Sequence, residues 1–179
     1  KKMLSYNESL KILKETNALL EGHFILSSGL HSKEYIQCAK LLSYPKKSEV
    51  ICSSLCEIIK KTFNKIDIVL SPAIGGIVVG YEVGKQLSAQ TIFAERVDGK
   101  LELRRGFEIP QNSNVLIVED VITTGKSALE CSQIVIKNKS NIVGYACIID
   151  RSSSKILIQD TIVSQIKLYI QTYKNNEIP

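Results

Sequence analysis

No two cysteines in this 179-residue chain are spaced C-x-x-C, and their total is odd: Cys38, Cys52, Cys56, Cys131 and Cys147. A closed disulfide framework is therefore not expected. Cys52 and Cys56 share a helix face at i and i+4, but only His23 and His31 are available as further soft ligands, too few to make zinc the preferred reading. The five thiols read instead as small buried apolar residues in a reducing compartment. Also missing is any apolar run near the roughly 20 residues that cross a bilayer. The amino end, Lys1-Lys2-Met3, lacks the apolar stretch and small-residue cleavage site of a signal peptide. No run of Lys or Arg exceeds two residues, so the net charge of +5 is spread out and indicates neither nucleic acid nor membrane as a partner. A basic balance equally suits an enzyme whose substrates are all anions. These absences predict a soluble, cytoplasmic protein, and the length and 44% hydrophobic content suit one globular domain. A methionine at position 3 and the polar end Asn175 to Pro179 suggest that both ends are clipped.

What is present centres on Val115 to Glu130, V-L-I-V-E-D-V-I-T-T-G-K-S-A-L-E. Four apolar residues, Val115 to Val118, predict a strand buried on both faces, ending in two carboxylates, Glu119 and Asp120. Thr123, Thr124, Gly125, Lys126 and Ser127 then form a hydroxyl-rich turn that opens a helix, able to offer N–H groups and hydroxyls to a phosphate. Gly-Lys-Ser also ends the P-loop pattern, but that pattern needs a glycine five positions before Gly125, where Asp120 stands. A carboxylate there would repel a polyanion. What remains is an acidic pair suited to a sugar diol beside a cradle for one phosphate, a grip for ribose 5-phosphate. The alternative is a buried strand followed by a solvated, capped helix, although adjacent carboxylates at a strand end rarely serve packing.

This segment resembles the phosphoribosyl diphosphate signature of the type I phosphoribosyltransferases. There the acidic pair holds the ribose hydroxyls and the threonine-glycine turn holds the 5-phosphate. The resemblance implies these roles for Glu119, Asp120, Thr123, Thr124, Gly125, Lys126 and Ser127.

Along the rest of the chain, Asn7 to Leu20 predicts a packing helix stopped by Gly22. Phe24 to Gln37 predicts two short strands around a turn at Ser28-Gly29. Its hydroxyls, cation and aromatic could bind a planar anion, while His31 stays open between a hydrogen-bonded structural histidine and a catalytic one. The stretch resembles the F-x-L-x-S-G-x-x-S-plus-aromatic motif of orotate phosphoribosyltransferases, matched by Phe24, Leu26, Ser28, Gly29, Ser32 and Tyr35. The resemblance implies base contacts from Ser27, Ser28, Gly29, Tyr35 and Ile36. Ser27 stands where many members have a lysine. Ser48 to Phe63 predicts an amphipathic helix capped by Ser48, and Ile66 to Leu70 a strand that breaks into Ser71, Pro72, Ala73, Ile74, Gly75 and Gly76. Such a turn brings backbone close to a ligand. In the family the corresponding loop grips the diphosphate through its amides, although here Gly75 replaces a lysine of some members.

A helix from Ile77 to Leu87 and a strand from Thr91 to Ala94 lead to a charged segment, Glu95 to Phe107, read as a mobile hairpin or lid, or otherwise as a solvated surface hairpin. Four cations in ten residues would suit a leaving diphosphate. The segment lacks the K-x-x-K-x-H-G pattern of many orotate enzymes and is similar to the E-R-x-D-G-K-x-x-L-R-R-G-F version of part of the family. The resemblance implies Lys100 and Arg96 as catalytic cations, with Asp120, and a homodimer in which this loop acts in trans. Ser127 to Lys137 predicts a helix, and Ile142 to Ile149 a strand ending in Asp150-Arg151. A guanidinium fork there matches a carboxylate or a uracil-type carbonyl edge, or otherwise makes an ordinary salt bridge; in the family the arginine meets the base carboxylate. Further strands are expected at Ile156 to Ile158 and Ile166 to Ile170.

The alternation over residues 48 to 150 predicts an α/β fold, a central parallel sheet flanked by helices with ligands at the strands' carboxyl ends. Residues 1–47 and 151–179 would form a small hood. The resemblance implies transfer of ribose 5-phosphate from phosphoribosyl diphosphate to orotate, with Mg²⁺ carried by substrate rather than by protein ligands. Transfer to a purine, or a non-catalytic regulator on the same fold that binds nucleic acid, are the alternatives.

Overall fold

The computed structural model describes residues 2–178. Its centre is a six-stranded sheet in the order β5-β4-β3-β6-β7-β8. These strands are β3 (Ile68–Pro72), β4 (Gln90–Val97), β5 (Lys100–Leu103), β6 (Asn114–Ile122), β7 (Asn141–Asp150) and β8 (Ile162–Lys167). Five of them run parallel, while β5 folds back antiparallel on β4. The sheet is therefore mixed, not purely parallel, because the Asp98-Gly99 turn, with φ of 51° and 82°, closes a two-residue hairpin at its edge. It also extends past residue 150, through β8.

Alternation along the buried strands sends side chains to two cores. Val69, Leu116, Val118, Ala146 and Ile148 pack with helices α3 (Pro45–Thr62) and α4 (Gly75–Leu87). Leu70, Val115, Ile117, Tyr145 and Cys147 pack with Ala128, Cys131 and Val135 of α5 (Lys126–Lys137). All five cysteines are buried and none is in a disulfide. No helix among the described residues is long and apolar enough to cross a membrane.

A second sheet, in the order β1-β2-β9, joins the two ends of the chain: β1 (Leu19–Ile25), β2 (His31–Ile36) and β9 (Thr172–Tyr173). The packing helix α1 (Tyr6–Glu15) is shorter than its apolar stripe suggests. Ser5 caps it with a full capping box through Glu8, and Asn17 turns left-handed at φ 61°, releasing Leu19 and Leu20 into β1. At α3 the start moves three residues earlier than Ser48: Pro45 takes the first turn, where its missing N–H costs nothing, and Ser48 is buried inside the helix. A short helix, α2 (Ala39–Leu42), links the two sheets. Residues 156–158 form no strand. They lie as a loop against the turn before α5, where the Leu157 N–H donates to the Thr124 carbonyl at 2.8 Å.

Candidate active site

Strand β6 continues through Ile122, so Glu119 and Asp120 lie in its last stretch rather than beyond its end. Neighbouring groups leave them little water. The Glu119 carboxyl is pushed up to about 8, first by burial, then by the charge and hydrogen bonding of Asp120. Burial likewise raises Asp120, against the bond its carboxylate accepts from the Val121 N–H at 2.8 Å. Two like charges in one dry corner resist joint ionisation.

The sign of this shift gives a pH dependence. Because Glu119 binds its proton more tightly folded than unfolded, the stability it contributes is fully present below its unfolded pKa near 4.3 and is lost as pH rises towards about 8. The Tm of the unliganded protein, followed by calorimetry, is expected to fall across that window. Glu119→Gln is expected to flatten the fall, and an unaltered slope would contradict the assignment.

The diphosphate-loop candidates meet the acidic pair at the start of α4. A Cβ on Gly75 would sit 3.0 Å from Asp120 Oδ2, and one on Gly76 would sit 3.2 Å from Glu119 Oε1 and 2.9 Å from Ser71 Cβ. At Gly76 a side chain would force Ser71 to shift, whereas at Gly75 the Asp120 carboxylate would have to give by a few tenths of an ångström. The peptide between Ala73 and Ile74 is cis. Within the segment the roles divide. Ser71 is fully buried beneath α4 with no partner for its hydroxyl among the described residues, and the Ala73 N–H donates to the Ala94 carbonyl at 2.7 Å, so that amide serves the sheet. Pro72 ends β3, and Ile74 is 85% exposed.

The phosphate-turn candidates line one cavity of about 170 Å³, formed by Glu119, Thr123, Thr124, Gly125, Lys126 and Ser127 with Val121, Ile122 and Ala128. Gly125 has φ 80°, and a Cβ there would meet Ile158 Cδ1 at 2.6 Å. The turn is thus seated on the loop at 156–158. The Lys126 N–H donates to Thr124 Oγ1 at 3.3 Å, and among the described residues the Lys126 side chain forms no ion pair.

Arg151 follows β7 directly, and its N–H donates to the Ile122 carbonyl at 2.9 Å, tying it to the end of the carboxylate-bearing strand. Its guanidinium is partly buried, which lowers its pKa, and it has no carboxylate partner among the described residues. An isolated half-buried guanidinium at a strand end suits an anionic ligand.

The charged segment folds as the β4–β5 hairpin with its cations unequally engaged. Arg96 is held by both Glu130 oxygens at 2.9 Å, donates to the Gly99 carbonyl at 2.9 Å and reaches Ser127 Oγ at 3.4 Å. Arg105 pairs with Glu95 at 2.8 and 2.9 Å and lies over the Phe93 ring. Lys100 and Arg104 are exposed and form no ion pair among the described residues. Arg96 is therefore anchored beside the phosphate turn in this conformation, and Lys100 is available.

The base-motif residues divide along their hairpin. Tyr35, 37% exposed, stacks on Phe24 with ring centroids 5.6 Å apart, and Ile36 packs on the core near the end of β2. Two residues on, Cys38 lies close enough to the acidic pair for Asp120 and Glu119 to add to the burial that raises its thiol pKa. Ser27, Ser28 and Gly29 form the turn at the opposite end of β2, about 20 Å of extended chain away. There Gly29, at φ 82°, has no atom within 4 Å of where its Cβ would be. His31 is buried against His23, which supports the structural reading left open above. Sequence reasoning missed Glu130, Cys38 and the 156–158 loop. Glu130 alone left a signal, standing one helical turn after Ser127.

The phosphoribosyl transferase domain matches residues 42–177, and the chain belongs to that family. It is 48% identical over 170 residues to the orotate phosphoribosyltransferase of Caldicellulosiruptor saccharolyticus, covering 95% of this chain and 88% of that one. It is 45% identical over 172 residues to the orotate phosphoribosyltransferase of a Thermoanaerobacter species, covering 96% and 90%. These likenesses place it among the orotate phosphoribosyltransferases. The crystal structure of the Aeropyrum pernix orotate phosphoribosyltransferase shares the fold, with a TM-score of 0.76 at 24% identity over 88% of this chain and 92% of that one.

Proposed function

We propose that the chain transfers ribose 5-phosphate from phosphoribosyl diphosphate to N1 of orotate, giving orotidine 5-phosphate and diphosphate. The observation that carries this reading is the contact of the acidic pair with the Gly75–Gly76 helix start, beside a phosphate-sized cavity. A diol, a diphosphate and a 5-phosphate would then each find a matching surface. In the reaction the C1–O bond to diphosphate breaks and a C1–N1 bond forms. Glu119 and Asp120 hold the ribose hydroxyls and stabilise positive charge as it develops on the sugar. The start of α4 offers backbone N–H groups to the diphosphate. The turn from Thr123 to Ser127 binds the 5-phosphate, Arg151 forks onto the orotate carboxylate, and Tyr35 and Ile36 bound the base. Lys100 reaches the leaving diphosphate.

The donor set fits a substrate-borne Mg²⁺. Glu119 and Asp120 are taken up by the ribose hydroxyls in this reading, so a hard cation would ride mainly on substrate oxygens. Mg²⁺ supplies neutralisation of the departing diphosphate. Loss of orotate absorbance with phosphoribosyl diphosphate and Mg²⁺, run beside adenine, hypoxanthine and uracil, tests the reading. Consumption of a purine in place of orotate, or of no base, would refute it.

A homodimer completes the proposal. Ile74, Val78 and Tyr81 make an apolar stripe along α4, exposed by 85%, 51% and 68%, at the edge of the site. Such a stripe suits an isologous contact. If Lys100 acts across the dimer, Lys100→Ala and Arg151→Ala chains, each nearly inactive alone when assayed at orotate well below the raised KM, are expected to recover about a quarter of wild-type activity on random mixing, from one intact site in each mixed dimer. Recovery of none would assign Lys100 to its own chain's site.

A further inference from the structure

The chain has two histidines, and the fold puts them side by side. His23 lies in the irregular part of β1 and His31 opens β2. His23 Nε2 and His31 Nδ1 approach to 2.6 Å, with ring centroids 4.9 Å apart and planes inclined by 37°. His31 is buried and so fixed in direction, whereas His23 is exposed. Both border a cavity of about 560 Å³ whose lining also carries Glu21 and Glu34 and shares no residue with the ribose-phosphate cavity.

In the neutral pair one nitrogen donates and the other accepts. The same two atoms are spaced for a metal. Metal–imidazole bonds of about 2.0–2.1 Å place two nitrogens about 2.9 Å apart at a right angle and about 3.3 Å apart at a tetrahedral angle. The pair must open by about 0.3 Å to reach the right-angle spacing, and the exposed His23 ring must also turn, by roughly 45°, so that both lone pairs converge on one ion instead of facing each other. The ring that donates must shift its proton to its other nitrogen, which leaves both imidazoles neutral and both facing nitrogens free to ligate. No third protein ligand is grouped with them among the described residues, so water fills the remaining positions. Glu21 is engaged by Lys14 at 2.9 Å and Lys33 lines the same cavity, so the two carboxylates are offset by two cations and the imidazoles alone supply the bonds.

We propose that His23 and His31 form a two-imidazole site for a late first-row divalent ion of right-angle geometry, Ni²⁺ or Cu²⁺, on the terminal hairpin and apart from the substrate site. Mg²⁺, which prefers oxygen ligands, would not compete there.

The test is calorimetric titration of NiCl₂ into the metal-stripped full chain in a Mg²⁺ buffer, with imidazole ¹⁵N NMR as a second readout. One equivalent of Ni²⁺ per chain is expected, and both imidazole resonances, assignable because the chain has only two histidines, should broaden. His23→Gln, an exposed change whose unaltered Tm checks its fold, is expected to weaken binding at least about tenfold. Absence of saturable uptake, uptake that His23→Gln leaves unchanged, or imidazole resonances unmoved by Ni²⁺ would each overturn the proposal. None of these readouts depends on transferase activity, so the outcome is separable from that of the orotate assay.

Discussion

Replacing Asp120 by Asn together with Glu119 by Gln is expected to lower kcat/KM for phosphoribosyl diphosphate by about 10²–10³-fold, the scale on which pre-placed electrostatic groups act in a dry site. Both side chains are mostly removed from water, and the first cause of each raised pKa is that burial. Charge held in such a place costs the resting protein and is repaid only when the sugar becomes cationic. The amides retain the size of the carboxylates beside Gly75 and Gly76, so the pocket keeps its shape while losing its charge. Glu119→Gln alone sharpens the point. Because Glu119 titrates near pH 8 without ligand, its neutral isostere resembles the wild-type resting state at lower pH, and the gap between the two in binding phosphoribosyl diphosphate is expected to widen as pH rises through 8. A double variant with undiminished kcat/KM would remove the diol-holding role.

The second large effect is expected at Arg151. Arg151→Ala should raise KM for orotate roughly 100-fold, as loss of a bidentate charge-assisted pair worth about 3 kcal/mol implies, while KM for phosphoribosyl diphosphate changes little. Arg151→Lys should recover only part of the loss, because an ammonium restores the charge and not the planar fork. The backbone here is anchored independently of the side chain through the bond to Ile122, so the variants should keep their Tm. A rise in both KM values alike would mean that the residue shapes the site generally and does not read the base.

Much of this was legible in the sequence. Val115 to Val118 is apolar on both faces because β6 has neighbours on both sides and cores above and below, and uninterrupted hydrophobicity records that directly. The turns at Thr123 to Ser127 and Ser71 to Gly76 were marked by glycines whose need the close approaches explain. Less legible was anything set by a distant partner. The end of α1 depended on Asn17 and on the pairing of β1 with β2, which competes with a helical stripe that is continuous in sequence. The loop at 156–158 has the composition of a strand, but its amide goes to the phosphate turn and not to a sheet. Arg96 read as a free cation because nothing local announces that Glu130, 34 residues later, will hold it.

The dependence of the phosphate turn on that loop sets an order of events during synthesis. Thr124 and Gly125 leave the ribosome more than thirty residues before Leu157 and Ile158, against which they are seated. Closure of the small sheet waits longer still, because Ser32 pairs with Thr172. A nascent chain halted near residue 140 would hold the acidic pair and the helix starts but lack the floor of its anion site, β7 with Arg151, and β8. Such a chain is expected to expose the apolar strand β6 on the side that β7 later covers.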